Sequence, residues 1–147
     1  MTLRRYATTA IVLGAAFHAA FTATSLAQGQ ANRTIWSGVF SAEQAKRGEA
    51  SANRNCAKCH SADLAGGQDG PALVGADVLQ AWNGMTVGDL FDRVKTTMPA
   101  DAPRSLSPQE TADVVAYILS VNKCPAGEKE LPSEPEALGQ IRITSQP

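Results

Sequence analysis

Long apolar runs, basic tracts and histidines are all scarce in this sequence, and each shortage excludes something. The longest largely apolar stretch covers residues 10–23 and is interrupted by His18. A spanning helix needs roughly 20 predominantly apolar residues, so no permanent membrane span is expected. Lys and Arg number 13 against 14 Asp and Glu, with no basic tract to neutralise phosphates. Nucleic acid is therefore not an expected partner. No internal repeat and no second domain is evident.

What the first residues do have is the order of an export signal. Arg4 and Arg5 precede the apolar stretch, and Ser25-Leu26-Ala27 offers a small, a larger and a small residue. Residues 1–27 are read as a secretory signal peptide cleaved after Ala27, which places the mature protein in the periplasm. His18 leaves with that leader and is not counted as a ligand. Loss of Arg4 and Arg5 reduces the basic residues from 13 to 11 against 14 acidic ones, a formal charge of −3. The rest is the length of one small domain.

All three cysteines lie beyond the leader, and two of them stand in Asn55-Cys56-Ala57-Lys58-Cys59-His60. Cys-x-x-Cys-His is the attachment pattern of a c-type haem. Two thiols separated by two residues can reach the two vinyl groups on one porphyrin edge, and the adjoining imidazole of His60 then comes beneath the iron. Covalent attachment keeps the group in a domain too small to enclose it. A thioredoxin-like pair would sit at a helix start after a strand, and nothing upstream resembles that β-rich core. Structural zinc would need ligands beyond His60 and the distant Cys124. A plain disulfide between Cys56 and Cys59 is the remaining alternative.

Around the motif, residues 28–40 are expected to form a surface arm carrying Trp36, Val39 and Phe40. A helix follows from about 42 to 53, with Ser41 as its cap and Gln44 returning the bond as third helical residue. Gly48 interrupts that helix, which suggests a close helix contact, with Tyr117 as the crossing residue. Residues 61–73 should wrap one side of the haem. Gly66, Gly67 and Gly70 allow backbone conformations closed to larger residues. A backbone carbonyl near Pro71 is the candidate partner for the second ring nitrogen of His60. Thr86 and Asp89 form a capping-box pair ahead of a helix over 87–96, with Trp82 just upstream. The clearest helix starts at Ser107-Pro108 with Glu110 at its third position and runs to about Val121. The tail 124–147 is rich in proline and charge, with a short extended segment at 140–143, and lies on or beside the domain.

The iron opposite His60 needs a second axial group, and the mature chain has no second histidine. Met98, 38 residues after His60, is the preferred ligand, in a loop that Pro99 and Pro103 stiffen. Met85 and an open position are the alternatives. A thioether favours reduced iron and raises the potential. With both positions filled, the chemistry is one-electron Fe(III)/Fe(II) exchange rather than catalysis.

The combined motifs resemble a class I mono-haem cytochrome c over residues 36–127, similar to bacterial periplasmic cytochromes and to cytochrome domains associated with quinoprotein dehydrogenases. The resemblance is carried by Trp36-Ser37-Gly38-Val39-Phe40, the haem motif, Asp63-Leu64-Ala65-Gly66-Gly67 and Gly70-Pro71-Ala72-Leu73. Thr86-Val87-Gly88-Asp89-Leu90-Phe91, Thr97-Met98-Pro99, Ser105-Leu106-Ser107-Pro108 and Asp113-Val114-Val115-Ala116-Tyr117-Ile118-Leu119 complete it. It implies an all-α fold with crossed terminal helices around one covalent haem c, spanning 41–123. It also implies thioether bonds from Cys56 and Cys59, His60 and Met98 as iron ligands, and the Pro71 carbonyl orienting His60. The implied role is an electron carrier between a dehydrogenase and a terminal oxidase or other cytochrome, or a dedicated subunit of a dehydrogenase complex. Two positions depart from the pattern. Ala52 replaces a larger residue and would thin the helix contact. Cys124 stands where an apolar residue is usual, as a small buried hydrophobe in a monomer or the site of a disulfide-linked dimer.

Overall fold

The computed structural model describes residues 33–145; the expected leader and residues 28–32 of the expected arm lie outside them. Six helices follow one another as α1 (Ala42–Asn55), α2 (Ala57–His60), α3 (Ala76–Ala81), α4 (Val87–Thr97), α5 (Pro108–Val121) and α6 (Pro135–Leu138). Two short strands, β1 (Arg33–Thr34) and β2 (Ile141–Arg142), pair in parallel.

Local chemistry sets the helix starts. Ser41 accepts from the Gln44 amide, and Thr86 and Ser107 each form a reciprocal capping box with Asp89 and Glu110. Such caps satisfy amides that no helical carbonyl can reach. The same bonds hold the Asp89 and Glu110 carboxyls below the usual carboxylate range. Helix α5 ends in a Schellman motif. Lys123 takes a left-handed φ of 68°, its amide reaches Ser120 O, and the Cys124 amide reaches Leu119 O at 3.1 Å.

Helices α1 and α5 cross at Gly48. A Cβ there would stand 1.8 Å from Asp113 O and 2.9 Å from Tyr117 Cβ, so glycine alone allows this approach. Tyr117 thus lies at the crossing, as the sequence reading has it. Ala52 is 1% exposed, so this small side chain is buried. Arg47 of α1 reaches Asp113 and Glu130 at 3.0 and 2.9 Å, and both acids strengthen its hold on the proton.

Two sequence expectations change. The arm is not a surface feature in its described part: Ile35, Val39 and Phe40 are buried in the core beside Leu131, Leu138, Ile141 and Ile143. Phe40 O accepts from Gly127, and Trp36 Nε1 donates to Thr144 O, so the two ends of the chain share one core layer. Gln44 does not return to its cap. Its buried amide donates to Leu131 O at 2.9 Å and accepts from the Leu131 amide at 2.6 Å, stitching the C-terminal segment to α1. A buried amide takes whichever partners satisfy both its ends, and an extended backbone offers both at once.

Among the described residues, no helix is long and apolar enough to cross a membrane.

Candidate functional site

The haem motif sits where α1 turns into α2. The Cys56 amide still bonds Ala52 O at 2.8 Å, and the Cys59 and His60 amides turn back onto Cys56 O. That tight turn presents Cys56, Cys59 and His60 to a cavity of about 570 Å³, within the size range of cofactor pockets. Pro71, Leu73, Trp82, Val94, Met98, Leu106 and Ile118 also line it. Cys56 and Cys59 are free thiols, and burial pushes the Cys56 thiol up. Among the described residues no cluster of three His, Cys, Asp or Glu could hold a bare metal ion.

Loop 61–75 shapes one side of the cavity. His60 Nδ1 lies 2.7 Å from Pro71 O. With its proton on Nδ1 the ring donates to that carbonyl and turns a free Nε2 lone pair outward, the tautomer a metal-ligating histidine needs. The loop reaches this position because glycine removes obstacles. A Cβ on Gly70 would come 3.0 Å from both His60 Nδ1 and Cys59 O, and Gly66, at φ 88°, would put one 2.6 Å from Ala72 N. Asn122, buried at the end of α5, donates to Leu73 O at 2.9 Å and Ile118 O at 2.8 Å, and accepts from the Gly75 amide at 2.9 Å.

Met98 closes α4. The residue before a proline is driven out of helical geometry, and Met98 has φ −120° and ψ 152° while its amide still bonds Val94 O. The half-buried thioether therefore lines the cavity from a helix end, one residue later than the expected 87–96 helix allowed. Met85, the alternative, is 41% exposed and does not line the cavity.

The residues present fit a haem. The cavity holds a pair of thiols, an imidazole with a free nitrogen, a thioether and a mostly apolar wall. The model of the family described as cytochrome c oxidase, cbb3-type, subunit III matches residues 43–118. The chain belongs to that family. It is a cytochrome c domain of the mono-haem class I kind with an all-α fold, and the family carries covalently bound haem c with iron, whose Cys-x-x-Cys-His motif Cys56, Cys59 and His60 fit. Its role is haem-based electron transfer, as such domains generally are not enzymes. Neither the comparison with curated proteins nor that with solved structures gave a match.

Asn122 lines the cavity and is not found by sequence reasoning, nor is Lys95, which lies outside the lining. Lys95 donates to Arg104 O and Leu106 O in the loop after Met98. Asn122 reaches Leu73 O across 49 positions and Lys95 reaches Arg104 O and Leu106 O across 9 and 11, and bonds from a side chain to backbone carbonyls leave no periodic signal. Cys124 is 6% exposed, and burial pushes its thiol up to about 11.

Proposed function

We propose that this cytochrome is an exported one-electron carrier, freed of residues 1–27 and working in the periplasm between a dehydrogenase, of quinoprotein type, and a terminal oxidase or another cytochrome. The observation that carries the reading is the shared cavity: Cys56, Cys59, His60, Pro71 and Met98 all line it, with His60 Nδ1 already engaged by Pro71 O. When bound, haem c supplies Fe(III)/Fe(II) exchange. The chain's own residues do the rest. Cys56 and Cys59 would hold the group as thioethers. His60 would offer Nε2, its Nδ1 being held by Pro71 O, and Met98 would supply the second protein ligand from the end of α4. Leu73, Val94, Leu106 and Ile118 exclude water, which with a thioether ligand favours the reduced state. With His60 and Met98 both holding the group, no place would be left for a substrate.

The formal charge of −3 favours a partner with a basic docking surface, an attraction that weakens with salt. Burial of Cys124 supports a monomer over a disulfide-linked dimer. The family's description names an oxidase subunit, and this supports a second reading as a dedicated electron-transfer subunit of an oxidoreductase complex. Copurification with a large catalytic subunit separates the two.

The deciding experiment is an absorption spectrum in both redox states followed by carbon monoxide challenge. A low-spin spectrum with a methionine-to-iron charge-transfer band, and slow carbon monoxide binding, are expected. Rapid binding to the reduced native protein, or an oxidised spectrum unchanged by Met98→Ala, overturns the closed-iron reading. Reconstitution with candidate dehydrogenases and oxidases then identifies donor and acceptor.

A further inference from the structure

We propose that Lys95 is a positioning residue for Met98, clamping the loop that follows the thioether back onto the helix end that carries it. The inference rests on Met98 as the second axial ligand.

Met98 is fixed from the helix by its amide bond to Val94 O at 3.0 Å. Beyond it the chain leaves α4, and Pro99 has no amide with which to hold on. The backbone bonds of the following loop are internal, from Ala102 to Pro99 O and from Ser105 to Ala102 O. They shape the loop without attaching it to α4. A left-handed corner at Arg104, φ 65°, then returns the chain to Leu106, which is 4% exposed and lines the same cavity as Met98.

Lys95 supplies the missing attachment. It stands in the last turn of α4, and its ammonium donates to Arg104 O at 3.4 Å and to Leu106 O. One cation thus joins the turn before Met98 to the point where the loop re-enters the cavity wall. Bonds from a charged donor are stronger than neutral ones, and this one is half-buried. A second attachment, Lys58 to Asp101 at 3.2 Å, joins the loop to the haem motif, but its partners are 77% and 66% exposed. Exposed pairs contribute little, so Lys95 is the principal clamp. A lysine near a helix C-terminus also interacts with the helix dipole, a purely structural role that would leave the iron's ligation untouched.

The two roles separate in holo-protein. Lys95→Gln is expected to raise the rate of carbon monoxide binding to the reduced protein about tenfold, as loss of a charge-assisted hydrogen bond would. It should also lower the intensity of the oxidised charge-transfer band at neutral pH. Lys95→Arg should stay within about twofold of the parent, since it keeps the charge and donors, and Asp101→Asn should fall between them. Should Lys95→Gln fail to accumulate, Lys95→Leu keeps an apolar stem, removes the charge and every donor without adding a thioether, and is read in the same way. A lowered melting temperature with the parent's band and the parent's carbon monoxide rate overturns the proposal and leaves the Met98 reading standing. A parent protein that itself lacks the band and binds carbon monoxide rapidly overturns both.

Discussion

Loop 61–75 and loop 99–107 bracket the same cavity but are held in different ways. The first is bonded along its length: Gly66 to His60 O, Ser61 Oγ to Gly66 O, Leu73 to Leu64 O, and Asn122 to both Leu73 and Gly75. The second has two internal turns, the Lys95 clamp and an exposed ion pair. The histidine side is thus over-determined, while the methionine side depends on few contacts. Local opening follows the weaker attachments, so the Met98 side should open first and the His60 side only with the whole domain.

The comparison breaks most severely at Gly66. Alanine there would be strained twice, by φ 88° and by a Cβ 2.6 Å from Ala72 N. We expect Gly66→Ala to cost roughly 3 kcal/mol or more, and to shift the His60–Pro71 bond with the loop. Urea titration of holo-protein and the yield of haem-bearing chain measure this. A midpoint equal to the parent's would show that loop 61–75 is looser than its bonds imply. Asn122→Ala comes next. It leaves Leu73 O and the Gly75 amide without their side-chain partner, for about 2–3 kcal/mol. Its loss should act on the His60 side, so the carbon monoxide rate should change less than the melting temperature does.

These residues also show how far a sequence can be read. The haem motif and both capping boxes follow from rules acting within four residues, and they were legible. Gly48 was legible as a close contact because a glycine inside a good helix needs a reason. Gln44 misled, since its spacing from Ser41 suits a capping box while its actual partner is Leu131, 87 positions away. The pairing of Arg33–Thr34 with Ile141–Arg142 is likewise beyond local rules: two-residue strands carry no alternation, and only the shared core of Ile35 and Ile141 brings them together.

On the methionine side the expected effects are smaller, and one is a gain. Arg104 holds a left-handed φ of 65° without being glycine. The strain of that conformation is partly offset by the greater unfolded-state freedom of glycine, so Arg104→Gly should stabilise by about 0.5–1 kcal/mol. Its carbonyl remains for Lys95. A melting temperature raised by a few degrees with an unchanged charge-transfer band is the expected result; destabilisation would mean that the arginine side chain itself holds the loop.

The smallest effect concerns acid. Loop 99–107 ends at Ser107, whose amide donates to Glu110 Oε2 at 3.0 Å, and the Ser107 backbone and side-chain bonds are what hold the Glu110 carboxyl below its ordinary range. A group with a depressed folded pKa binds its proton more readily when unfolded. Its contribution is therefore complete above the ordinary carboxylate range of about 4 and is lost as pH falls through the folded value. Protonation would remove the charge from the Ser107–Glu110 bond and weaken it at the point where the methionine-side loop is anchored to α5. Charge-transfer intensity, read in holo-protein as pH is lowered past 4, should thus begin to fall before helical circular dichroism does. Glu110→Gln, which can still accept from Ser107 but carries no charge, should show a shallower acid limb than the parent. If both signals fell together in both proteins, the two sides of the cavity would be opening as one unit, and the difference in their attachments would have no thermodynamic consequence.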